Sequence, residues 1–98
     1  MVVISYGTLR EYILEHAGAK DALNNWYRLA TKANWANYHE MKQMFNSVDP
    51  IGNDRYVFNI RGNSYRLIVL IFFDIRTIFI RFVGTHAEYD KLTDCSSV

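Results

Sequence analysis

The second half of this chain contains short segments in which apolar residues are concentrated, and this feature constrains the fold most. Segments rich in β-branched and aromatic residues run over 55–61, 64–73 and 77–83, and each has the length of a strand. Gly62 and Asn63 separate the first two segments, and glycine at the first position of a two-residue loop suits a type II′ turn. The pattern therefore predicts an antiparallel hairpin followed by a third strand.

The hairpin loop determines which residues face each other across the two strands. A two-residue loop at 62–63 places Ile60 opposite Tyr65, and it likewise places Asn59 opposite Arg66. Because side chains alternate along a strand, one face of the hairpin is predicted to be apolar and covered by helices. This face comprises Tyr56, Phe58, Ile60, Tyr65, Leu67, Val69, Ile71 and Phe73. On the third strand, alternation assigns to the same face Ile78, Ile80 and Phe82.

The opposite face of the predicted sheet is basic, and on it we expect to find together Arg55, Asn59, Arg61, Arg66 and Arg81. Guanidinium groups bind phosphate through planar, bidentate hydrogen bonds, so a phosphate-binding face is one interpretation. The other interpretation is a set of solvated arginines on an exposed strand face. The whole chain has a net charge of only +1, so overall charge does not mark it as a nucleic-acid binder.

The first half of the chain is predicted to be helical after a short strand at Val2–Ile4. Thr8 and Glu11 have the spacing of a capping box, which predicts the start of a first helix. Gly18 follows the apolar positions of this helix and is predicted to end it, because glycine readily adopts the conformation that closes a helix.

Two further helices and a loop complete the predicted architecture. Apolar residues recur every three or four positions over 19–33, and a shorter helical pattern follows over 38–45. Turn-forming residues over 46–54, including the single proline, predict an internal loop. A short terminal helix is predicted over 85–91. Residues 1–98 are thus expected to form one α+β domain, with two to three N-terminal helices on one face of a small, mainly antiparallel sheet.

The predicted terminal helix carries several groups that can move protons. His86, Tyr89 and Asp90 share one side of it through i, i+3 and i, i+4 spacing. RNA can be cleaved by its own 2′-hydroxyl, given a base, an acid and positive charge near the phosphorus. His86 and Tyr89 are candidates for proton transfer, and Arg66 and Arg81 are candidates to supply charge. The alternative is an ordinary polar helix end in which His86 has a local partner.

Other kinds of chemistry find little support in the sequence. The three histidines have no metal-ligand spacing, and neither a P-loop nor a nucleophile-elbow motif is present, so we expect no metal and no cofactor. The single cysteine, Cys95, excludes a disulfide within the chain, as is usual in a reducing cytosol. The N-terminus lacks the pattern of a secretory signal, and the longest apolar run, 67–73, is too short to cross a membrane. We therefore expect a cytoplasmic protein without membrane contact.

Two segments of the chain resemble the HigB family of RelE-like toxins. The first is Gly52–Leu67, with the sequence GNDRYVFNIRGNSYRL, and the second is Ile80–Lys91, with the sequence IRFVGTHAEYDK. The resemblance extends over nearly the whole chain and includes Trp26, Tyr27 and Trp35 in the helical half. It implies a RelE-like fold and a ribosome-dependent endonuclease that cuts mRNA in the ribosomal A site without a metal.

The resemblance also implies partners and site residues. The partners are mRNA on the ribosome and a helix-turn-helix antitoxin of the HigA kind, which inhibits the toxin and brings it to operator DNA. By position, the catalytic candidates are the strand residues Arg66 and Arg81 and the terminal residues His86 and Tyr89. We assign RNA contacts to Arg55, Asn59, Arg61, Asn63 and Lys91. Four residues match positions of the family motifs whose exact roles the resemblance leaves open: Asn59, Asn63, Asp90 and Lys91.

The chain departs from the RelE-like pattern in its basic residues. Many such toxins have lysines facing the active site, whereas the nearest candidate here is Lys42, and Arg55 and Arg61 are candidates to replace that charge. The identity of the base stays open, because a tyrosine with an ordinary pKa of about 10 needs nearby arginines to lower it. The competing hypotheses are a non-catalytic module that binds RNA or the ribosome, and a domain that only binds the antitoxin.

Overall fold

A computed structural model of the chain describes residues 1–62 and 64–98, and within them five strands form a single sheet. The strands are β1 Val2–Ile4, β2 Val48–Gly52, β3 Arg55–Ile60, β4 Tyr65–Phe72 and β5 Thr77–Thr85. Their order across the sheet is β1-β5-β4-β3-β2. β1 pairs with β5 in parallel, and the other neighbours are antiparallel.

The helices are α1 Tyr6–Glu15, α2 Lys20–Lys32, α3 Tyr38–Met44 and α4 His86–Asp90. The first three pack on one face of the sheet and contribute to the core Leu9, Leu23, Trp26, Ala30 and Met41. Burial of these side chains removes apolar surface from water, which is the main force that holds helices and sheet together. The predicted α+β arrangement, with its mainly antiparallel sheet and short C-terminal helix, is confirmed.

The predicted hairpin register is also confirmed, since Ile60 pairs with Tyr65 and Asn59 pairs with Arg66. The predicted apolar face lies in the core, with Phe58, Ile60, Leu67, Val69 and Ile71 buried. Gly62 has φ +63°, a conformation that glycine adopts without steric cost. Asn63, which was predicted in the same loop and as an RNA contact, lies outside the described residues.

The assignment of Phe82 to the core face is wrong, because β5 contains a β-bulge. Val69 pairs with Ile80, whereas the preceding residue, Ile68, pairs with Phe82, so Arg81 is an extra residue in β5. An extra residue reverses the alternation beyond it. Phe82 consequently lies opposite Ile68 on the far side of the sheet from the helices, and Val83 packs against the core.

The predicted start and end of the first helix are also wrong. Thr8 lies inside the first turn of α1, where its N–H donates to the carbonyl of Ser5 at 3.0 Å, so it does not cap the helix. At the other end, His16 leaves helical geometry with φ −134°. Gly18 therefore follows the end of the helix and lies in a 3₁₀ turn over Ala17–Ala19.

The predicted loop over 46–54 contains the edge strand β2. Val48 pairs with Phe58 and Pro50 pairs with Tyr56 in an antiparallel ladder. An edge strand tolerates proline because one side of it needs no partner. Turn-forming residues dominate this segment locally, and only its pairing with β3 makes it a strand.

Candidate active site

The sheet face that points away from α1, α2 and α3, called here the outer face, is partly covered. Val57 and Ile68 lie on it, and they are buried although they do not belong to the core cluster beneath the helices. The C-terminal part of the chain covers this side: α4 contacts β4 and β5, and a 3₁₀ turn over Cys95–Ser97 contacts β2. The outer face is therefore a packed surface with its own polar groups.

Two arginines converge on one oxygen atom at this face. The Nε–H groups of Arg55 and Arg81 both donate to the main-chain oxygen of Val98, at 3.1 Å and 3.2 Å. Arg55 also donates from a terminal nitrogen to the carbonyl of Asn53 at 2.9 Å. Arg81 is the extra residue of the bulge in β5, and it lies on the face that alternation from Ile80 predicts.

Arg66 of β4, which pairs with Asn59 and Gly84, is almost fully buried, with 8% of its surface exposed. One terminal nitrogen donates to the carbonyl of Tyr65 at 3.4 Å. Its guanidinium carbon lies 5.9 Å from the centre of the Tyr89 ring, a separation at which the cation attracts the ring electrons. Arg66 thus connects β4 to the terminal helix.

The terminal helix α4 is held in place by a capping box. The Thr85 hydroxyl accepts a hydrogen bond from the Glu88 N–H at 3.1 Å, and the Glu88 carboxylate accepts one from the Thr85 N–H at 2.7 Å. Tyr12 of α1 donates to the same carboxylate at 3.3 Å. The preceding Gly84 lies opposite Arg66, and a Cβ there would approach the Phe82 ring to 2.7 Å. These contacts determine where the side chains of α4 point.

His86 and Asp90 are in contact on α4, with 2.8 Å between Nδ1 and Oδ2. When Nδ1–H donates to the carboxylate, Nε2 carries the lone pair and is available to accept a proton. Both side chains are about half exposed, so a substrate can reach the imidazole. The i, i+4 spacing predicted this contact. Asp90 is thus the local partner that His86 would have in an ordinary polar helix end. The same contact is also the arrangement that orients a histidine base.

Tyr89 differs from the tyrosine base considered above. Its hydroxyl donates to Sγ of Cys95 at 3.7 Å. Burial and this hydrogen bond raise the pKa of Tyr89 above its ordinary value, and the nearby Arg66 opposes the rise without reversing it. The phenol therefore keeps its proton at neutral pH, and its chemistry is that of a proton donor.

The remaining candidates have contacts outside this group, although Asn59 pairs with Arg66 across β3 and β4. Arg61 has φ +52°, and its side chain donates to the carbonyl of Gly18 at 3.2 Å on the helix side of the sheet. Asn59 and Arg61 both line a cleft of about 170 Å³ between α2 and the end of β3. Lys91 is exposed just beyond α4. Lys42 donates to the carbonyls of Asn46 and Val48 and so braces its own turn.

Sequence reasoning missed the part of the chain that covers the site. Cys95 and Val98 were given no role, yet they accept hydrogen bonds from Tyr89 and from the two converging arginines. Asp94 followed by Ser96 is the available sequence signal, because an aspartate often accepts a hydrogen bond from the N–H two residues later. The structure contains this contact at 3.1 Å.

Within residues 1–62 and 64–98, no three histidine, cysteine, aspartate or glutamate side chains lie close enough together to hold a metal ion. The helices within the same residues are all too short or too polar to span a bilayer.

The fold and the site together define a domain of the RelE-like class. Three helices pack on one face of a small, mainly antiparallel sheet, and the outer face carries arginines beside a terminal helix with His86 and Tyr89. Residues 19–92 match the family model HigB_toxin, described as the RelE-like toxic component of a toxin–antitoxin system. The chain belongs to the HigB toxin family, as the two sequence segments predicted.

Curated relatives agree with this family. The chain is 32% identical over 95 residues to the mRNA interferase HigB of Escherichia coli O6:H1, and the match covers 95% of this chain and 92% of the relative. It is 40% identical over 55 residues to the mRNA interferase toxin HigB of Escherichia coli K12, a match that covers 54% of this chain and 53% of the relative. The mRNA interferase HigB of Shigella flexneri matches to the same extent.

The capping box allows a prediction about acid stability. Hydrogen bonds from Thr85 and Tyr12 hold the pKa of Glu88 below its ordinary value of 4.5. Because the folded-state pKa is lowered, the stabilisation by Glu88 is present above pH 4.5 and is lost as the pH falls through the folded value. Urea unfolding of the wild type is expected to show that the free energy of unfolding decreases over this acidic range. Glu88→Gln should lack this part of the decrease. Thr85→Ala is expected to cost about 1 kcal/mol at neutral pH, and an unchanged unfolding midpoint would contradict the capping role.

Proposed function

We propose that this chain is an mRNA interferase, an endoribonuclease that cuts mRNA on the ribosome as the toxin of a type II toxin–antitoxin pair. The family and the names of its relatives support the activity. The observation that carries the proposal is the contact of Arg66 with the Tyr89 ring, in a terminal helix that also holds the His86–Asp90 pair. Together with Arg81 on the outer face, these groups would supply a proton acceptor, a proton donor and positive charge.

The proposed reaction begins with the 2′-hydroxyl of the RNA. Nε2 of His86 takes the 2′ proton while the 2′-oxygen forms a bond to phosphorus, and Asp90 stabilises the imidazolium that results. The bond from phosphorus to the 5′-oxygen breaks, and Tyr89 donates its proton to that oxygen. The products are a 2′,3′-cyclic phosphate and a 5′-hydroxyl, and the imidazolium proton returns to the phenolate through solvent.

The arginines act on the transition state of this reaction. Negative charge accumulates on the non-bridging oxygens of the phosphorane, and Arg66 and Arg81 place guanidinium groups beside it. Arg66 is pre-oriented by burial and by the Tyr89 ring, so little reorganisation is needed when the charge develops. The nucleophile comes from the substrate itself, and for this reason the mechanism calls for neither a metal nor a cofactor.

The ribosome is proposed to position the message. A net charge of +1 and a few clustered arginines give little affinity for free RNA at physiological salt, since such affinity depends on the number of phosphate contacts. We predict that the purified protein cuts free RNA slowly or not at all, whereas mRNA in a translating ribosome is cut. Rapid cleavage of a naked transcript at physiological salt would contradict this prediction.

The regulatory partner is proposed to be a helix-turn-helix antitoxin of the HigA kind, as is expected for a toxin of this family in the cytoplasm. The antitoxin would inhibit cleavage and would supply the contact with operator DNA, because the small basic cluster of this chain is a weak basis for duplex recognition. The gene adjacent to that of the toxin is expected to encode it.

Induced expression followed by mapping of mRNA 5′ ends tests the proposal. The wild type is expected to arrest growth and to produce new 5′ ends within translated messages. Arg81→Ala and Tyr89→Phe should remove both effects without unfolding the protein. Stalled ribosomes without new 5′ ends would instead support a non-catalytic module, and growth arrest that survives both substitutions would overturn the assigned site.

A further inference from the structure

The last residues of the chain form an ordered segment on the outer face. Residues 93–98, called here the tail segment, are organised by Asp94, which accepts hydrogen bonds from the N–H of Ser96 at 3.1 Å and from its hydroxyl at 2.7 Å. Asn53, in the turn between β2 and β3, donates its side-chain amide to the carbonyl of Ser96 at 3.2 Å. The tail segment is thus tied to the sheet by a contact that is independent of the proposed catalytic groups.

The tail segment also occupies groups of the proposed active site. The main-chain oxygen of Val98 accepts the Nε–H groups of Arg55 and Arg81, and Sγ of Cys95 accepts the hydroxyl of Tyr89. Both arginine contacts join residues distant in sequence, 43 positions apart for Arg55 and 17 for Arg81. Groups assigned to RNA binding and to catalysis therefore face the tail segment.

The geometry at Val98 resembles that of a bound phosphate oxygen. Two guanidinium N–H groups approach a single oxygen at 3.1 Å and 3.2 Å, from strands on opposite sides of β4. A phosphate oxygen is charged, and charge-assisted hydrogen bonds between guanidinium groups and phosphate are among the strong ones in proteins. RNA can therefore compete for these donors if the tail segment moves away.

We propose that Arg55 and Arg81 together form one phosphate subsite, and that RNA must displace the tail segment to enter it. The proposal rests on the proposed function, since it concerns the binding of the same substrate. It assigns Arg55 to the same phosphate as Arg81, and it makes the tail segment a competitor of RNA. When no mRNA is bound, the tail segment then covers part of the RNA-binding site.

Asn53→Gly is the variant that tests this competition. It removes the amide that holds Ser96 and retains a residue suited to the φ of +52° at this position, without changing the charge. The probe is a short single-stranded RNA with 2′-O-methyl groups, which cannot be cut, titrated into isotope-labelled full-length protein at low salt and followed by NMR. Asn53→Gly is expected to bind it about fivefold more tightly, because a larger fraction of the protein has the subsite open. Thr93→Ala, at an exposed position at the start of the tail segment, is the matched control and should bind as the wild type does.

Two additional measurements separate displacement from a general gain in affinity. Arg55→Ala combined with Asn53→Gly should remove the gain, since the freed subsite then lacks one donor. Relaxation of the amides of Cys95, Ser96 and Val98 should show greater mobility when the oligonucleotide is bound to the wild type. Equal affinities for wild type and Asn53→Gly, weaker binding by Asn53→Gly, no binding by either protein, or a tail segment that stays ordered in the complex would each overturn the proposal. The probe is never cleaved, so these outcomes are independent of whether new 5′ ends appear in cells.

Discussion

Replacement of Arg66 with alanine is expected to slow mRNA cleavage by about two to three orders of magnitude, the usual effect of removing one pre-oriented donor from an oxyanion site. The physical reason is the position of this guanidinium, which is buried and held near the Tyr89 ring. Without this guanidinium, the negative charge that develops on the phosphorane lacks a positive group that is already in position to stabilise it. Single-turnover cleavage of a message in a defined ribosome complex measures the effect directly.

Matched variants separate this electrostatic effect from a loss of structure. Arg66→Lys keeps the charge but loses the planar donor geometry, so its cleavage rate is expected to lie between those of the wild type and Arg66→Ala. Arg10→Ala removes an exposed charge from α1 on the other side of the sheet and should leave the rate unchanged. Because Arg66 is buried, each variant is first compared with the wild type by circular dichroism. A folded Arg66→Ala protein that cleaves at the wild-type rate would exclude this residue from the catalytic group.

Replacement of Trp26 with alanine is expected to cost about 3–5 kcal/mol of unfolding free energy, as is usual for a fully buried tryptophan. Trp26 is 1% exposed and packs edge-on against Phe58, with 5.4 Å between the ring centres. It joins α2 to β3 at the middle of the core. Since a domain of this size is typically stable by only about 5–15 kcal/mol, the variant is expected to be close to unfolding at 37 °C.

Urea unfolding measures the Trp26 effect, with Arg28→Ala as the control on the same helix. Arg28 is exposed, and its replacement is expected to change the stability by less than about 0.5 kcal/mol. Trp26→Phe keeps an aromatic ring at the site and should cost less than Trp26→Ala. The indole N–H of Trp26 has no hydrogen-bond partner within the described residues, so its removal leaves no acceptor unpaired. A loss below about 1 kcal/mol for Trp26→Ala would contradict its place in the core.

The bulge in β5 links the fold to the proposed site. In a regular strand that continued from Ile80, alternation would turn Phe82 toward the helices. The extra residue instead keeps Phe82 at the outer face with Arg81 and returns Val83 to the core. Gly84 then lies opposite Arg66, where the Phe82 ring leaves no room for a Cβ. One irregularity in a strand therefore arranges several residues around the proposed active site.

Much of this architecture is determined by the sequence itself. Alternation along β3 and β4, together with the short loop between them, determines the register, because a slip of one residue would expose the whole apolar face. The three- and four-residue spacing of apolar positions places α2 against the sheet. The i, i+4 relation of His86 and Asp90 likewise predicts their contact. These features depend on neighbours along the chain or directly across one hairpin.

Tertiary structure alone decided the rest. Pairing with β3 makes a strand of β2, although its own residues favour a turn. The bulge in the pairing of β5 with β4 determines which side of the sheet Phe82 faces. The left-handed backbone conformation of Arg61 directs its side chain toward Gly18 rather than toward the other arginines. The contacts of Val98 with Arg55 and Arg81 join distant parts of the chain. Such contacts arise from how whole elements pack, because no local periodicity encodes a hydrogen bond between residues tens of positions apart.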